Sequence, residues 1–235
     1  MAKGVFITGN GTDSGKTVVT AAIVSRLRVA GINACVFKPV LSGAGKNRKL
    51  RDIEFVQKVS GLQGDPDEFS VYAYPDPVSP HLAAERAGEP VNLETISLKF
   101  QSLESCYQVV IVEGCGGIAV PFDRNGLMQS DLVRMLGLPV IIAGSTAVGT
   151  LNHSVLTARY CRDNKITVLG FVLGGFEDRY FENDNIRMIP ELTGLPVLEV
   201  LPRFKGLDTS RLKDGGMKRF LGKSDGLPGY FKDLV

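Results

Sequence analysis

The chain has 235 residues, of which 44% are hydrophobic and 22% charged, values that are ordinary for a soluble globular protein. The net charge of +2 is too small to favour a nucleic-acid partner, and no apolar run approaches the roughly 18 residues of a membrane span. Four cysteines without C-x-x-C spacing and only two histidines argue against a zinc site. We expect a cytoplasmic protein with free thiols, no membrane partner and no room for a signal peptide before its first strand.

Short apolar runs alternate with amphipathic stretches along the chain. The apolar runs predict strands that are covered on both faces, at 4–8, 34–39, 109–113, 139–143, 168–173 and 197–201. The amphipathic stretches predict helices at 16–30, 52–60, 93–104, 130–136, 151–164 and 183–192. This alternation indicates a single α/β domain over residues 1–235, with a mostly parallel sheet and helices on both faces.

Two segments interrupt this alternation. Residues 40–94 contain several prolines and little strand signal, and we expect them to elaborate the carboxyl edge of the sheet, where α/β proteins bind ligands. The tail from Lys205 is rich in glycine, lysine, arginine and aspartate, and it is predicted to be a loop-rich peripheral segment.

The stretch "GNGTDSGKT" at 9–17 follows the first apolar run and ends like a phosphate-binding loop. The usual spacing, G-x-x-x-x-G-K-[ST], would place a glycine at Asn10, whereas the nearest glycine is Gly9. A strand, a glycine-bearing turn and a helix nevertheless follow one another in register, which predicts a P-loop NTPase-like phosphate site. Gly15 would allow close approach, Lys16 would reach the terminal phosphates, and Thr17 would offer its hydroxyl to Mg²⁺.

Charged residues follow two further strands. "FKPVLSG" places Lys38 at a strand end with Ser42 nearby, and a second ammonium group beside Lys16 suits phosphoryl transfer. "VIVEGCGG" places Glu113 after four apolar residues, the layout of a carboxylate that holds Mg²⁺. Asp13 is either a turn residue or a residue near the metal or a cationic substrate.

Five motifs in order resemble the dethiobiotin synthetase family: "TGNGTDSGKT", "FKPVLSG", "SPH", "VEGCGG" and "GTLNHSVLTA". The resemblance extends from Lys3 to about Pro202. The family's phosphate loop is one residue longer than the usual one, which accounts for the position of Gly9. The resemblance implies that CO₂ or bicarbonate and the diamine 7,8-diaminononanoate form a carbamate, which ATP phosphorylates. Closure to a cyclic urea then releases ADP and phosphate, with Mg²⁺ as cofactor.

Carried over to this sequence, the resemblance gives each matching residue a role. Lys16 and Lys38 would be the catalytic residues, stabilising charge on the transferring phosphate and the carbamate. Mg²⁺ would be held by Thr17, Asp52 and Glu113. The nucleotide would be bound by Asp13, Ser14, Gly15, Lys16, Thr17, Val18, Glu113, Gly116, Gly174 and Pro202. The substrate would be bound by Thr12, Lys38, Ser42, Gly149, Thr150 and Asn152.

The resemblance also implies a homodimer. The helix that begins near Gly149 would bind the carboxylate tail of the substrate held by the neighbouring subunit, in keeping with the anion preference of helix N-termini. One departure from the family concerns the base. The strand "GFVLGGF" ends in Gly174 and Gly175, where the family often has an adenine-reading asparagine, so we expect ATP to be used but weakly discriminated.

Two other functions fit the phosphate loop. A partition-type ATPase switch would normally carry an additional lysine early in the loop, and positions Asn10 and Gly11 lack it. A related amidoligase of cofactor synthesis would need a glutamine-hydrolysing domain, for which this chain has no room. His81 and His153 are interpreted as structural or interface residues, because neither has a metal partner visible in the sequence. Cys115, between glycines near the proposed metal site, is interpreted as a small residue that fills space next to the ligand.

Overall fold

A computed structural model of the chain describes residues 4–11, 13–47 and 49–221. Seven strands form one sheet in the order β3-β2-β4-β1-β5-β6-β7, and every neighbouring pair is parallel. The strands are β1 (Gly4–Gly9), β2 (Ala34–Ser42), β3 (Ser70–Tyr74), β4 (Val109–Gly117), β5 (Val140–Ser145), β6 (Val168–Phe176) and β7 (Val197–Pro202).

Helices connect the strands and cover the sheet. They are α1 (Lys16–Val29), α2 (Arg51–Ser60), α3 (Pro80–Ala87), α4 (Leu93–Cys106), α5 (Gln129–Leu136), α6 (Thr150–Asp163), α7 (Tyr180–Thr193) and α8 (Met217–Leu221). Consecutive residues of β1, β4 and β5 are buried, which requires cover on both faces of the sheet. Within the described parts of the chain, no helix is long and apolar enough to cross a bilayer.

The strand order determines where ligands can bind. Because β1 lies between β4 and β5, and β4 lies beside β2, the carboxyl ends of β1, β2 and β4 meet at one edge of the sheet. The connection after β1 leads to α1 on one side of this edge, and the connection after β2 leads to α2. Ligands of open α/β sheets bind at such carboxyl edges.

The predicted strands and helices are all present, with boundaries that shift by up to four residues. Residues 40–94, where the sequence has little strand signal, contain one strand and one helix that were not predicted: β3, which pairs with β2, and α3, which follows it. β3 has only five residues and lies at the sheet edge, where its burial alternates along the strand. A strand this short, followed by prolines, gives too weak a periodic signal to be recognised.

Of the segment predicted to be peripheral, residues 205–221 are described and pack more closely on the domain than predicted, whereas 222–235 lie outside the described residues. The described part forms a two-stranded hairpin, β8 (Leu207–Asp208) and β9 (Lys213–Asp214), around a 3₁₀ turn, and then α8. Met217 and Leu221 of α8 are buried in the main core. Lys58 Nζ of α2 donates a hydrogen bond to the carbonyl oxygen of Leu212, which connects the hairpin to the rest of the domain.

Candidate functional site

A cavity of about 350 Å³ lies at the carboxyl edge of the sheet, between the ends of β1, β2 and β4. Ten residues predicted for the site line it. They are Asp13, Gly15, Lys16, Thr17, Val18, Lys38, Ser42, Asp52, Glu113 and Gly116. The sequence separates these residues by up to a hundred positions, and the strand order β2-β4-β1 brings them together.

The phosphate loop turns tightly between β1 and α1. Gly15 precedes the first residue of α1 with a φ of 79°, a left-handed conformation that glycine adopts without strain. A Cβ on Gly9 would lie 2.2 Å from Ser14 Oγ and 3.0 Å from Lys16 Nζ, so only glycine fits under the curled loop. Ser14 is buried below the loop and does not line the cavity, and Thr12 falls outside the described residues.

Lys38, Asp52 and Glu113 form an ion-pair cluster in the cavity lining, in which Lys38 and Glu113 are buried and Asp52 is partly exposed. The Lys38 ammonium donates to Glu113 Oε1 at 2.8 Å and forms an ion pair with Asp52. Burial alone would lower the pKa of Lys38, but the two carboxylates outweigh it and hold the lysine charged. Burial would likewise raise the pKa of Asp52, but Lys38 holds it below its ordinary value. Lys38 and Asp52 are therefore both held in their charged forms.

Lys16 lies in a different electrostatic balance. Burial lowers its pKa, and the nearby Lys38 lowers it further, against a smaller opposing effect of Glu113 and Asp52. The charged form of Lys16 is therefore less stable in the protein without a ligand than in water. An anion bound in the cavity would stabilise this charged form, because its negative charge would offset the loss of hydration.

The donor set of the cavity fits a magnesium ion. Thr17 Oγ1 donates to Glu113 Oε1 at 2.8 Å, which places a hydroxyl and a carboxylate side by side. Glu113 Oε2 is buried and has no hydrogen-bond partner among the described residues. In the described ranges, no three His, Cys, Asp or Glu side chains form a complete metal site. Two carboxylates and a hydroxyl, completed by phosphate oxygens and water, are typical of Mg²⁺ sites that bind nucleotides.

Two of the residues predicted to bind the nucleotide lie near the ends of β6 and β7, which follow β5 in the sheet order. Gly174 is near the end of β6 and pairs with Ser145 of β5, and Pro202 ends β7 opposite Phe176. They do not line the cavity that holds Lys16. A ligand that reaches both places would extend along the sheet edge from the phosphate loop toward β7.

The residues predicted to bind the substrate tail lie at the start of α6. Gly149 precedes the helix with a φ of 94°, Thr150 is buried, and Asn152 is exposed. These three residues also lie outside the cavity lining. Asn10 of the phosphate loop donates a long hydrogen bond to Ser154 at 3.3 Å, so the first turns of α6 pack beside the loop.

Two residues of the cavity lining, Thr209 and Cys115, were not among the residues predicted for the site. Thr209, in the 3₁₀ turn of the C-terminal hairpin, lines the cavity with the phosphate loop. No local signal distinguishes a threonine in a turn, and only the packing of the hairpin against α2 brings it there. Cys115 also lines the cavity, and burial raises the pKa of its thiol to about 11, which keeps it neutral. His81 and His153 lie outside the lining.

The fold is that of the P-loop ATPases of the MinD and ParA type. The septum site-determining protein MinD of Pyrococcus horikoshii, solved with Mg-ADP, superimposes with a TM-score of 0.60 at 14% identity, covering 100% of this chain and 95% of that one. A ParA family ATPase of Chlorobium tepidum superimposes with a TM-score of 0.58 at 16% identity, covering 99% and 97%. At such identities the likeness establishes the fold alone.

Sequence comparison gives the family. A family model described as "AAA domain" matches residues 3–211. The ATP-dependent dethiobiotin synthetase BioD of Clostridium kluyveri is 39% identical over 91% of this chain and 91% of its own length. The enzymes of the same name from Clostridium novyi and Bacillus cereus are 35% and 38% identical, over 87% and 86% of this chain and 89% and 84% of their own lengths. The chain belongs to the dethiobiotin synthetase family.

Proposed function

We propose that the protein is an ATP-dependent dethiobiotin synthetase. It would carboxylate 7,8-diaminononanoate with CO₂, phosphorylate the carbamate with ATP, and close the cyclic urea with release of ADP and phosphate. The observation that carries this proposal is the cavity in which Lys16 and Lys38 face Asp52 and Glu113, in a chain of this family. Two ammonium groups and two carboxylates suit a reaction that joins a diamine, a carbamate and a triphosphate.

Each group has a separate task in this reaction. The backbone of the phosphate loop and the N-terminus of α1 bind the phosphates of ATP. Lys16 stabilises the negative charge that develops on the transferring phosphoryl group, and Lys38 stabilises the carbamate that receives it. Ser42, which lines the cavity, and Thr12 bind the carbamate. The amine that attacks the mixed anhydride loses its proton and expels phosphate as the urea ring closes.

Mg²⁺ would be held by Thr17, Asp52 and Glu113, and it would neutralise charge on the β- and γ-phosphates. The unpartnered Oε2 of Glu113 supports this assignment. Lys38 forms ion pairs with Asp52 and Glu113, the two carboxylates that would also bind the metal. Thr17 remains hydrogen-bonded to Glu113 and supplies the hydroxyl ligand.

The active assembly is proposed to be a homodimer in which α6 serves the neighbouring subunit. The start of α6 presents backbone N–H groups to an anion, which suits the carboxylate of the substrate. Around it, Val148 is 85% exposed and Leu156 61% exposed, apolar surface that a second subunit would cover. The four free cysteines support a reducing, cytoplasmic location.

The decisive experiment measures phosphate release with 7,8-diaminononanoate, bicarbonate and Mg-ATP, omitting one component at a time. Release should require all of them, and the cyclic urea should accumulate in equal amount. A nucleotide switch of the partition type would instead hydrolyse ATP without the diamine. Release that ignores the diamine would therefore overturn the proposed function and favour the switch.

A further inference from the structure

Opposite the phosphate loop, β4 departs from regular pairing with β1. Ile7 pairs with Glu113, yet Gly9, two residues further along β1, pairs with Gly117, four residues further along β4. The additional residues of β4 form a bulge, which we call the β4 bulge (residues 114–116). Bulges beside active sites redirect side chains and end regular pairing, and residues of this one form part of the cavity wall.

The side chain of Gln129, at the start of α5, spans the β4 bulge. Its Oε1 accepts a hydrogen bond from the backbone N–H of Cys115 at 2.7 Å, and its Nε2 donates to the carbonyl of Gly117 at 2.8 Å. Gln129 is only 1% exposed, so water does not compete for these bonds. Both functional atoms of the amide are thus bound to the backbone of β4.

Gly114 provides a second, independent observation. A Cβ on Gly114 would lie 2.8 Å from Gln129 Oε1, 2.9 Å from Nε2 and 2.7 Å from Cε1 of Phe6. The amide therefore packs directly on the backbone of Gly114, and a larger residue fits only if Gln129 or Phe6 moves. The glycine and the glutamine form one packing unit behind the cavity wall.

The same unit reaches the phosphate loop. Gly117, which accepts from Gln129, pairs with Gly9, the first residue of the loop, and a Cβ on Gly117 would lie 3.3 Å from the Gly9 carbonyl oxygen. Glu113 immediately precedes the β4 bulge. A movement of the bulge would therefore move both the carboxylate and the base of the loop.

We propose that Gln129 is a positioning residue for the nucleotide site: its amide holds the β4 bulge, and thereby sets the distance between Glu113 and the phosphate loop. The inference rests on the proposed function in one respect, that the cavity binds a magnesium nucleotide. Gln129 itself does not line the cavity, so it acts through the backbone of β4. Groups that orient a metal ligand typically change metal affinity or activity about 10- to 100-fold when removed.

The test compares Gln129→Met with the parent protein. Methionine keeps the length of the side chain and removes both hydrogen bonds. Calorimetry measures the Kd of ADP in the presence of Mg²⁺ and in the presence of EDTA. The Kd in EDTA divided by the Kd in Mg²⁺ reports how much the metal contributes to binding. We expect that ratio to fall about tenfold in Gln129→Met, with a parallel fall in kcat for phosphate release. Ser130→Ala is the matched control, because Ser130 is equally buried in α5 but bonds to Tyr160 instead.

Gly114→Ala is the second variant, and it should lower the same ratio by displacing the amide. An unchanged ratio in Gln129→Met, even with a lower melting temperature, would overturn the proposal, as would an equal loss in Ser130→Ala. Parent protein that binds Mg-ADP without diamine-dependent phosphate release would refute the proposed function, while the Kd ratios would still decide the role of Gln129.

Discussion

Two glutamates of this protein are completely buried, Glu113 at the end of β4 and Glu182 at the start of α7, and they differ in what surrounds them. Every oxygen of Glu182 has hydrogen-bond partners: Thr146 at 2.6 Å, the Arg179 side chain at 3.0 Å, and backbone N–H groups at 2.8 and 3.1 Å. Glu113 shares Oε1 with Thr17 and Lys38 and leaves Oε2 without a partner in the described structure.

The difference separates a structural carboxylate from one that can respond to a ligand. Glu182 closes the loop between β5 and α6 onto α7, and its bonds are complete without any ligand. Glu113 retains an unused oxygen in a cavity with two ammonium groups. Buried polar atoms without partners are costly, so they persist where something else binds them during function.

The largest expected effect tests the cavity side of this comparison. Lys16→Ala should lower kcat for phosphate release about 10²- to 10³-fold, because it removes one preorganised charge that stabilises the transferring phosphoryl group. Steady-state assay of phosphate release measures it. Lys218→Ala, an exposed lysine on α8, is the control. Near-parental activity of Lys16→Ala would show that the phosphate loop is misassigned.

The second prediction compares the same substitution, glutamate to glutamine, at the two positions. Glu113→Gln should raise the Mg²⁺ concentration needed for half-maximal phosphate release by about tenfold or more, since an amide is a poorer metal ligand than a carboxylate. Glu182→Gln should leave the Mg²⁺ titration unchanged. Equal titrations for Glu113→Gln and the parent would remove Glu113 from the metal site.

The third prediction concerns the stability of the fold, to which we expect Glu182 to contribute more than Glu113. Its hydrogen bonds, first of all those from Arg179, lower the pKa of Glu182 from 4.5 to about 2. A carboxyl whose pKa is lower in the folded state stabilises the protein above its unfolded pKa, and that stability is lost as the pH falls from about 4.5 toward 2. Glu182→Gln should lack this part of the acid transition in urea melts at successive pH values.

At neutral pH, Glu182→Gln should lower the melting temperature by roughly 4–8 °C, as expected for the loss of about 2 kcal/mol of buried hydrogen bonding in a chain of this size. Activity per folded molecule should be retained at low assay temperature. A normal melting temperature combined with lost activity would place Glu182 in the reaction, contrary to the comparison.

The smallest effect concerns the base. With Gly174 and Gly175 at the end of β6, turnover with ATP should exceed that with CTP or GTP by far less than the roughly 10⁴-fold produced by a site that hydrogen-bonds its substrate. Gly174→Asn should increase the preference for ATP, because an amide at this position could hydrogen-bond the adenine edge. The substitution should fit, since among the described residues a Cβ there meets only the Gly144 carbonyl oxygen, at 3.9 Å. A strong preference for ATP in the parent protein would contradict this prediction.

The sequence predicted the local structure well. Continuous apolar runs identified the strands other than β3, because a strand buried on both faces has a strong signal of its own. The phosphate loop was recognisable because its strand, its turn and its helix are adjacent in the chain. The loop therefore needs no tertiary information to be identified.

By itself, then, the sequence determined the order of the strands and helices other than β3, α3 and the elements after β7, the phosphate loop and, through its motifs, the family. Only the tertiary structure decided which distant residues meet: the strand order β2-β4-β1 joins Lys38 to Glu113, and the C-terminal hairpin brings Thr209 to the cavity. It also decided that Gln129 spans the β4 bulge. The physical reason is that periodicity and turn chemistry act over a few neighbouring residues, whereas the pairing of strands and the packing of side chains depend on the whole core at once.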